Sequence, residues 1–248
     1  MESELSVIVP VLDEVKYIEA TLASIKDQNT KTPYELVVSD NGSTDGSIEI
    51  AKKYADKVVN CEERGIGPAR HFGALNASPS SKYFVFIDAD THIPGYYISF
   101  LYEMFRAHPD IVAFSTGFEF SERSEQIKLA EGVANNYFSM RDRIRSATLP
   151  GFNTAVRRDA YFKCGGYTNV LLEDVDFSRR ITKLGTVKYF RHIKVMNSSR
   201  RLEVMGLIGT LYYYAQLDLG WELNSTFIDK ITKKLGIADL REYIGIRK

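Results

Sequence analysis

The sequence predicts an α/β fold in which helices cover a mostly parallel central sheet. Short apolar segments alternate with amphipathic segments up to about residue 150, which is the pattern of βα units. Acidic residues follow several of the apolar segments, where parallel strands bring ligand-binding groups to one edge of a sheet. A chain of 248 residues is long enough for one such domain with a substantial core.

Each element is predicted from its apolar period and its turn signals. Strands are predicted over residues 5–11, 35–39, 57–60, 82–87, 111–120, 153–157 and 186–191. Helices are predicted over residues 18–25, 67–76, 122–146 and 175–184. Ser43 or Thr44 is expected to cap the helix that holds Ile48 and Ala51, and Pro94 to open another helix. Residues from 201 onward are expected to be mainly helical.

Charge and cysteine content exclude several classes of protein. The 32 basic and 32 acidic residues balance, which argues against a general nucleic-acid binder. Cys61 and Cys164 lie far apart, which is typical of a reducing compartment rather than of a disulfide or zinc site. We see no signal-peptide pattern and no apolar run of about 20 residues. A cytoplasmic location is therefore expected.

Three predicted strands bring acidic side chains to the same edge. The first is followed by Glu14, the second by Asp40, and the strand over 82–87 by Asp88 and Asp90. Close carboxylates raise one another's pKa unless they bind a cation or hydroxyl groups. An Asp-x-Asp pair alone is also common in turns, but its position after a buried strand favours an oxygen-only site for Mg²⁺ or Mn²⁺.

Five ordered segments resemble motifs of family 2 glycosyltransferases, which have the GT-A fold, a nucleotide-binding α/β sandwich. The segments are VIVPVLDE (7–14), VVSDNGSTDG (37–46), RGIGPARHFG (64–73), DAD (88–90) and EDVDFSRR (173–180). His71 departs from the pattern, because Asn is usual there. Many relatives also carry a metal-binding His where this chain has Asn197 and Ser198, so the last protein ligand of the metal stays open. His192 is expected to lie outside the site.

The resemblance implies a UDP- or GDP-linked sugar donor and a Mn²⁺ or Mg²⁺ cofactor held by Asp90 with Asp88. The residues implied in donor binding are Pro10, Val11, Glu14, Asp40, Gly67, Arg70, Asp88 and Ala89. Arg70 is expected to face the phosphates or the base, the alternative being a solvated helix residue. Gly67 either admits the nucleotide or only permits a tight turn.

The resemblance also assigns the chemistry of the second half. Asp174 is implied as the base that activates the acceptor in one inverting displacement, with Glu173 positioning the acceptor or Asp174. Acidic residues also stabilise a helix start without any catalytic function. Gly151 and Asn153 are expected under the donor sugar, where Asn153 either binds a hydroxyl or holds a turn. Arg200 and Arg201 resemble an S-x-R-R segment that could bind the donor diphosphate or an anionic acceptor, the alternative being a cationic surface.

We expect a single domain over residues 1–248. Residues up to about 120 would bind the nucleotide sugar, about 121–200 would bind the acceptor and hold the base, and about 201–248 would form a helical tail. Packing of this tail on the core or in a homodimer is favoured over peripheral contact with the inner face of the cell membrane. The acceptor stays open among a glycan, a lipid-linked glycan and a polyprenyl phosphate.

Two alternatives to a glycosyltransferase remain. A sugar nucleotidyltransferase would usually show a glycine- and arginine-rich loop ending in Lys after the first strand, where this chain has Leu12–Lys16. A non-catalytic nucleotide-sugar scaffold would be indicated by loss of the base or of the Asp-x-Asp pair, and both are present.

Overall fold

The structure is a computed structural model that describes residues 3–122, 124–144, 147–170 and 172–200. Its strands are β1 (Leu5–Val11), β2 (Tyr34–Asp40), β3 (Lys57–Asn60), β4 (Tyr83–Ile87), β5 (Thr91–His92), β6 (Ile111–Phe120), β7 (Asn153–Arg157) and β8 (Thr186–Asn197). Its helices are α1 (Ile18–Lys26), α2 (Ser47–Tyr54), α3 (Ile66–Leu75), α4 (Tyr97–Ala107), α5 (Glu125–Arg143), α6 (Arg158–Lys163) and α7 (Glu173–Ile181). The predicted helical tail lies outside the described residues.

The strands form one eight-stranded sheet in the order β3-β2-β1-β4-β7-β6-β8-β5. The first four strands in this order are parallel, and β6 is parallel to β8. Strand β7 is antiparallel to both β4 and β6, and β5 is antiparallel to β8. The predicted α/β fold with a mostly parallel central sheet is confirmed.

Strand β1 shows why the sequence folds in this way. All seven of its residues are buried, as expected for a parallel strand that is covered on both faces. Val7 and Val9 belong to one apolar cluster together with Leu22 of α1. Ile8 points to the opposite face and packs in a second cluster with Ala74 of α3. The alternation of β1 therefore divides the core into two layers.

The start of α2, the start of α4 and the end of β8 differ from the predictions. Neither Ser43 nor Thr44 caps α2, which starts after Gly46 with a φ of +97°. The backbone N–H groups of Ser43 and Thr44 donate instead to the carboxylates of Asp40 and Asp13. Helix α4 begins at Tyr97 rather than at Pro94, and β8 extends six residues beyond its predicted end at residue 191, to Asn197.

The extension of β8 matters for the site. Its last residue, Asn197, pairs with Thr91 of β5, directly after the Asp-x-Asp segment. The chain that follows β8 is therefore held beside Asp90. No helix within the described ranges has the length and apolar character needed to cross a bilayer.

The close packing of α3 on the sheet can be tested at Gly73. A Cβ there would lie 2.5 Å from Cγ2 of Ile8 and 3.3 Å from Cβ of Ser39. We predict that Gly73→Ala lowers the free energy of unfolding by about 1–3 kcal/mol, because the helix must move off the sheet. Urea denaturation followed by circular dichroism measures this change.

Gly132, inside α5, is the matched control, since a Cβ there has no atom within 4 Å. Gly132→Ala should stabilise the protein by about 0.5–1 kcal/mol through helix propensity. Equal effects of the two substitutions would contradict the close approach of α3 to β1.

Candidate active site

Four acidic residues lie at one edge of the sheet, which we call the acidic edge: Glu14, Asp40, Asp88 and Asp90. Parallel pairing of β1 with β2 and with β4 brings the carboxyl ends of these strands together. Asp40 ends β2, Glu14 lies in the loop after β1, and the other two follow β4. The strand ends therefore meet as the sequence predicted.

The loop after β1 is fixed by the polar segment after β2. The backbone N–H of Asp13 donates to Oγ of Ser43 at 3.1 Å, and that of Val15 donates to Oδ2 of Asp45 at 2.9 Å. Asp13 has a φ of +54°, a conformation that Asp tolerates better than most residues. Glu14 is consequently held at a defined position.

Asn41 organises the approach to α3, a function that the sequence did not reveal. Its Nδ2 donates to the carbonyl oxygens of Cys61 and Glu63, at 3.0 and 2.8 Å. Its Oδ1 accepts from the backbone N–H of Gly65 at 2.8 Å. The only available signal was an Asn directly after a buried strand.

Arg70 lies inside the protein, between the two predicted halves of the site. Only 1% of the residue is exposed. Its Nη2 donates to Oδ1 of Asp88 at 2.7 Å, and its Nη1 donates to Oε1 of Glu173 at 2.6 Å. The guanidinium carbon lies 5.2 Å from the ring centre of Tyr167, within the range of a cation–π contact.

These contacts exclude the interpretation of Arg70 as a solvated helix residue. Burial disfavours its charged form, but the charges of Asp88 and Glu173 outweigh that effect and raise the pKa of Arg70 further. Gly151 is required beside it, because a Cβ there would lie 2.6 Å from Nη2. A contact between Arg70 and donor phosphates stays a prediction.

Helix α7 presents the candidate base. It begins at Glu173 after Leu172, whose φ of +61° turns the chain sharply into the helix. Burial raises the pKa of Asp174 to about 6, and the neighbouring charge of Glu173 acts in the same direction, while Arg70 opposes both. A carboxyl group that titrates near this value can take up a proton at neutral pH.

Arg200 reaches the acidic edge from the chain after β8. Its Nη1 and Nη2 donate to the two carboxylate oxygens of Glu14 at 2.8 and 2.6 Å. Its Nη2 also lies 3.2 Å from Oδ2 of Asp90. The side chain therefore joins the loop after β1 to the Asp-x-Asp segment and is not a detached surface cation. Arg201 lies outside the described residues.

Comparison with known proteins identifies the family. The model of "Glycosyl transferase family 2" matches residues 6–165. The chain belongs to this family. The match ends before Glu173, so the segment that carries the candidate base lies beyond it.

A curated relative and two solved structures show what the chain resembles in sequence and in fold. Glycosyltransferase GlyA of Streptococcus pneumoniae is 32% identical over 127 residues, which cover 49% of this chain and 18% of GlyA. The mannosyltransferase PcManGT of Pyrobaculum calidifontis, in complex with GDP-Man and Mn²⁺, superposes with a TM-score of 0.66 at 19% identity, over 87% of this chain and 65% of that one.

TarS 1–349 of S. aureus, in complex with UDP-GlcNAc, gives a TM-score of 0.63 at 20% identity, over 80% of this chain and 58% of that one. These likenesses confirm the predicted GT-A-type fold. The aligned segments span about a quarter or less of the length of the first curated relatives.

The other residues of this family 2 chain that were predicted to bind the donor lie in buried parts of the backbone. Pro10 and Val11 end β1, and the carbonyl oxygen of Ala89 accepts from Oγ1 of Thr21 at 2.8 Å. Gly67 lies in the first turn of α3, where a Cβ would come within 2.2 Å of the Thr168 carbonyl oxygen. Gly67 is therefore needed so that α3 can pack closely against the backbone at Thr168, whether or not it also contacts a nucleotide.

Asn153 does not face the site. It has no exposed surface, its Oδ1 accepts from Oγ of Ser115 at 2.5 Å, and its Nδ2 donates to Thr116. The predicted hydrogen bond to a sugar hydroxyl is wrong for this geometry, because both polar atoms of the amide join β7 to β6. The alternative was that Asn153 holds a turn, whereas its side chain is bonded across the sheet to Ser115 and Thr116. His192 is exposed on β8, as expected for a residue outside the site.

Asp88 and Asp90 are the candidate ligands of a divalent cation. Both offer only carboxylate oxygens, and arginines pair with Oδ1 of Asp88 and Oδ2 of Asp90. Within the described part of the chain no group of three His, Cys, Asp or Glu side chains converges as a metal site. Two carboxylates fit a hard ion that completes its shell with water and phosphate oxygens, as Mg²⁺ commonly does.

The Arg70 bridge predicts a large effect on stability. Arg70→Met would leave Asp88 and Glu173, whose side chains are 18% and 16% exposed, without their shared counter-ion. We predict a loss of about 3 kcal/mol in the free energy of unfolding at pH 7. Arg106→Met, on an exposed turn of α4, should change it by less than about 0.5 kcal/mol. Equal urea midpoints for the two variants would contradict the bridge.

Proposed function

We propose that this chain transfers a sugar from a nucleoside-diphosphate sugar to a hydroxyl or phosphate acceptor, with inversion at the anomeric carbon. The observation that carries the proposal is the shared guanidinium of Arg70. It touches Asp88 of the Asp-x-Asp segment at 2.7 Å and Glu173, the neighbour of Asp174, at 2.6 Å. One buried side chain therefore links a candidate donor carboxylate, Asp88, to the residue that precedes the candidate base.

The donor would lie along the acidic edge. Asp40 is held in place by the backbone N–H of Ser43 and, with the loop after β1, would hold the base and ribose. Relatives of the same fold were solved with UDP-GlcNAc and with GDP-Man. Both nucleotides are therefore candidates for this chain.

Asp90, helped by Asp88, would hold Mn²⁺ or Mg²⁺. A divalent ion there supplies neutralisation of the diphosphate charge that grows as the sugar departs. PcManGT and a mycobacterial glucosyl-3-phosphoglycerate synthase of similar fold were solved with Mn²⁺, which supports a divalent ion of this kind.

Asp174 would perform the proton transfer. Its carboxylate takes the proton of the acceptor oxygen, and that oxygen forms a bond to the anomeric carbon from the face opposite the nucleotide. The bond from this carbon to the diphosphate oxygen breaks, and its electron pair leaves with the nucleoside diphosphate. Glu173, neutralised by Arg70, holds α7 in register so that Asp174 faces the acceptor.

The acceptor half would begin near residue 121 and end near residue 200. TarS is named a poly(ribitol-phosphate) β-N-acetylglucosaminyltransferase, and it is 34% identical over 93 residues, which cover 36% of this chain and 16% of TarS. This relationship supports a cell-envelope glycan or polyol-phosphate acceptor that offers a hydroxyl group. We retain a lipid-linked glycan as the second acceptor class.

Ligand-dependent stability tests the donor site. We predict that one nucleotide or nucleotide sugar, of UDP or GDP type, raises the melting temperature in a Mn²⁺-dependent manner. At a hundred times its dissociation constant it should add about 2.7 kcal/mol. The effect should disappear in Asp90→Ala and persist in Asp174→Asn, which keeps the donor carboxylates. No shift with any nucleotide would contradict the proposal and favour another function.

The raised pKa of Asp174 predicts the pH dependence of turnover. A base acts only when deprotonated, so kcat/KM should fall about tenfold per pH unit below about 6 and level off above it. Asp174→Asn should retain little activity and lose this limb. A profile that stays flat from pH 5 to 8 in the wild-type enzyme would contradict the assignment of Asp174 as base.

A further inference from the structure

Arg200 places a cation directly on the Asp-x-Asp segment. Its guanidinium holds Glu14 through two hydrogen bonds of 2.8 and 2.6 Å and lies 3.2 Å from Oδ2 of Asp90. The same group lies 5.3 Å from the ring centre of Tyr17. Three groups from two segments of the chain therefore meet at this guanidinium.

The fold brings Arg200 to this position in a defined way. Asn197 ends β8 and pairs with Thr91, the residue that follows Asp90. The backbone N–H of Arg200 then donates to Oγ of Ser198 at 3.3 Å, which turns the chain towards the acidic edge. Position 200 is consequently fixed relative to Asp90 by strand pairing.

Arg200 and Arg70 differ in their freedom to move. The Arg70 side chain is 2% exposed and is enclosed between two carboxylates, whereas the Arg200 side chain is 40% exposed. An arginine with this exposure can rotate to a new anionic partner without opening the core. Glu14 and Asp90, at 14% and 12% exposure, lose this shared cation when it leaves.

A divalent cation and the Arg200 guanidinium would compete for Asp90. Two cations on one carboxylate repel each other, so the guanidinium weakens the binding of a metal ion that arrives alone. A diphosphate offers the displaced guanidinium two or more acceptor oxygens, which suit its planar fork.

We infer that Arg200 is an exchangeable counter-ion of the Asp-x-Asp pair that disfavours the metal ion until the donor diphosphate takes over its guanidinium. The inference rests on the proposed function and deepens it. It assigns Arg200 a positioning function that makes metal and nucleotide bind together. By linkage, each ligand must then raise the affinity for the other by the same factor.

The test is Mn²⁺ binding in the absence of nucleotide, measured by isothermal titration calorimetry and by the electron paramagnetic resonance signal of free Mn²⁺. We expect Arg200→Gln to bind Mn²⁺ about five- to tenfold more tightly than the wild-type protein, the effect of losing one competing charge pair. Arg200→Lys keeps the positive charge but not the bidentate geometry, so its affinity for Mn²⁺ should lie between those of Arg200→Gln and the wild-type protein. Arg106→Gln removes the same charge from the last turn of α4, and it should bind Mn²⁺ as tightly as the wild-type protein does.

The same titrations with saturating UDP or GDP measure the synergy. In the wild-type protein the nucleotide should tighten Mn²⁺ binding. In Arg200→Gln this nucleotide-dependent increase in Mn²⁺ affinity should be smaller, by the factor by which the substitution already tightens Mn²⁺ binding without nucleotide. Equal or weaker Mn²⁺ binding by Arg200→Gln, or no Mn²⁺ binding by that variant at all, would overturn the inference. Nucleotide-dependent stabilisation of the wild-type protein would still support the proposed function in that case, whereas its absence would refute the proposed function as well.

Discussion

The ion pairs of one buried arginine hold this site together. Arg70 lies between the Asp-x-Asp segment that follows β4 and the start of α7, and it contacts one carboxylate from each of them. A buried guanidinium with good partners on both Nη atoms fixes distance and direction at once. The glycine at position 151 and the ring of Tyr167 leave room for it and cover it. The position of α7 relative to the Asp-x-Asp segment depends on this arrangement.

The two arginines of the site both pair with carboxylates, but they have different functions. Arg70 is enclosed, so its charge is part of the scaffold and stabilises two carboxylates that would otherwise be poorly solvated. Arg200 is partly exposed and holds Glu14 and Asp90 from outside. Burial thus separates a structural counter-ion from an exchangeable one. Asp174 lies near the first of these, and its pKa is raised because burial and Glu173 outweigh the attraction of Arg70.

Sequence patterns were sufficient for the sheet and for the meeting of the acidic residues, because buried parallel strands leave long apolar runs followed by polar loops. The sequence patterns did not reveal β5 or the end of β8 that pairs with it, because a strand of two residues is too short to show an apolar period. The partners of Arg70 are 18 and 103 residues away, a separation that no local pattern encodes. For Asn153 the sequence leaves a ligand contact and the holding of a turn open, and only its burial and its bonds to β6 show that it joins two strands instead.

The most direct test of this account is a double-mutant cycle on the two carboxylates that share Arg70. The free energy of unfolding would be measured for Asp88→Asn, Glu173→Gln and the double variant. Each single variant leaves Arg70 one partner, whereas the double variant leaves an uncompensated buried cation. We predict that the double variant is less stable than the sum of the single effects by at least about 1 kcal/mol. Additivity within about 0.5 kcal/mol would contradict the central function of Arg70.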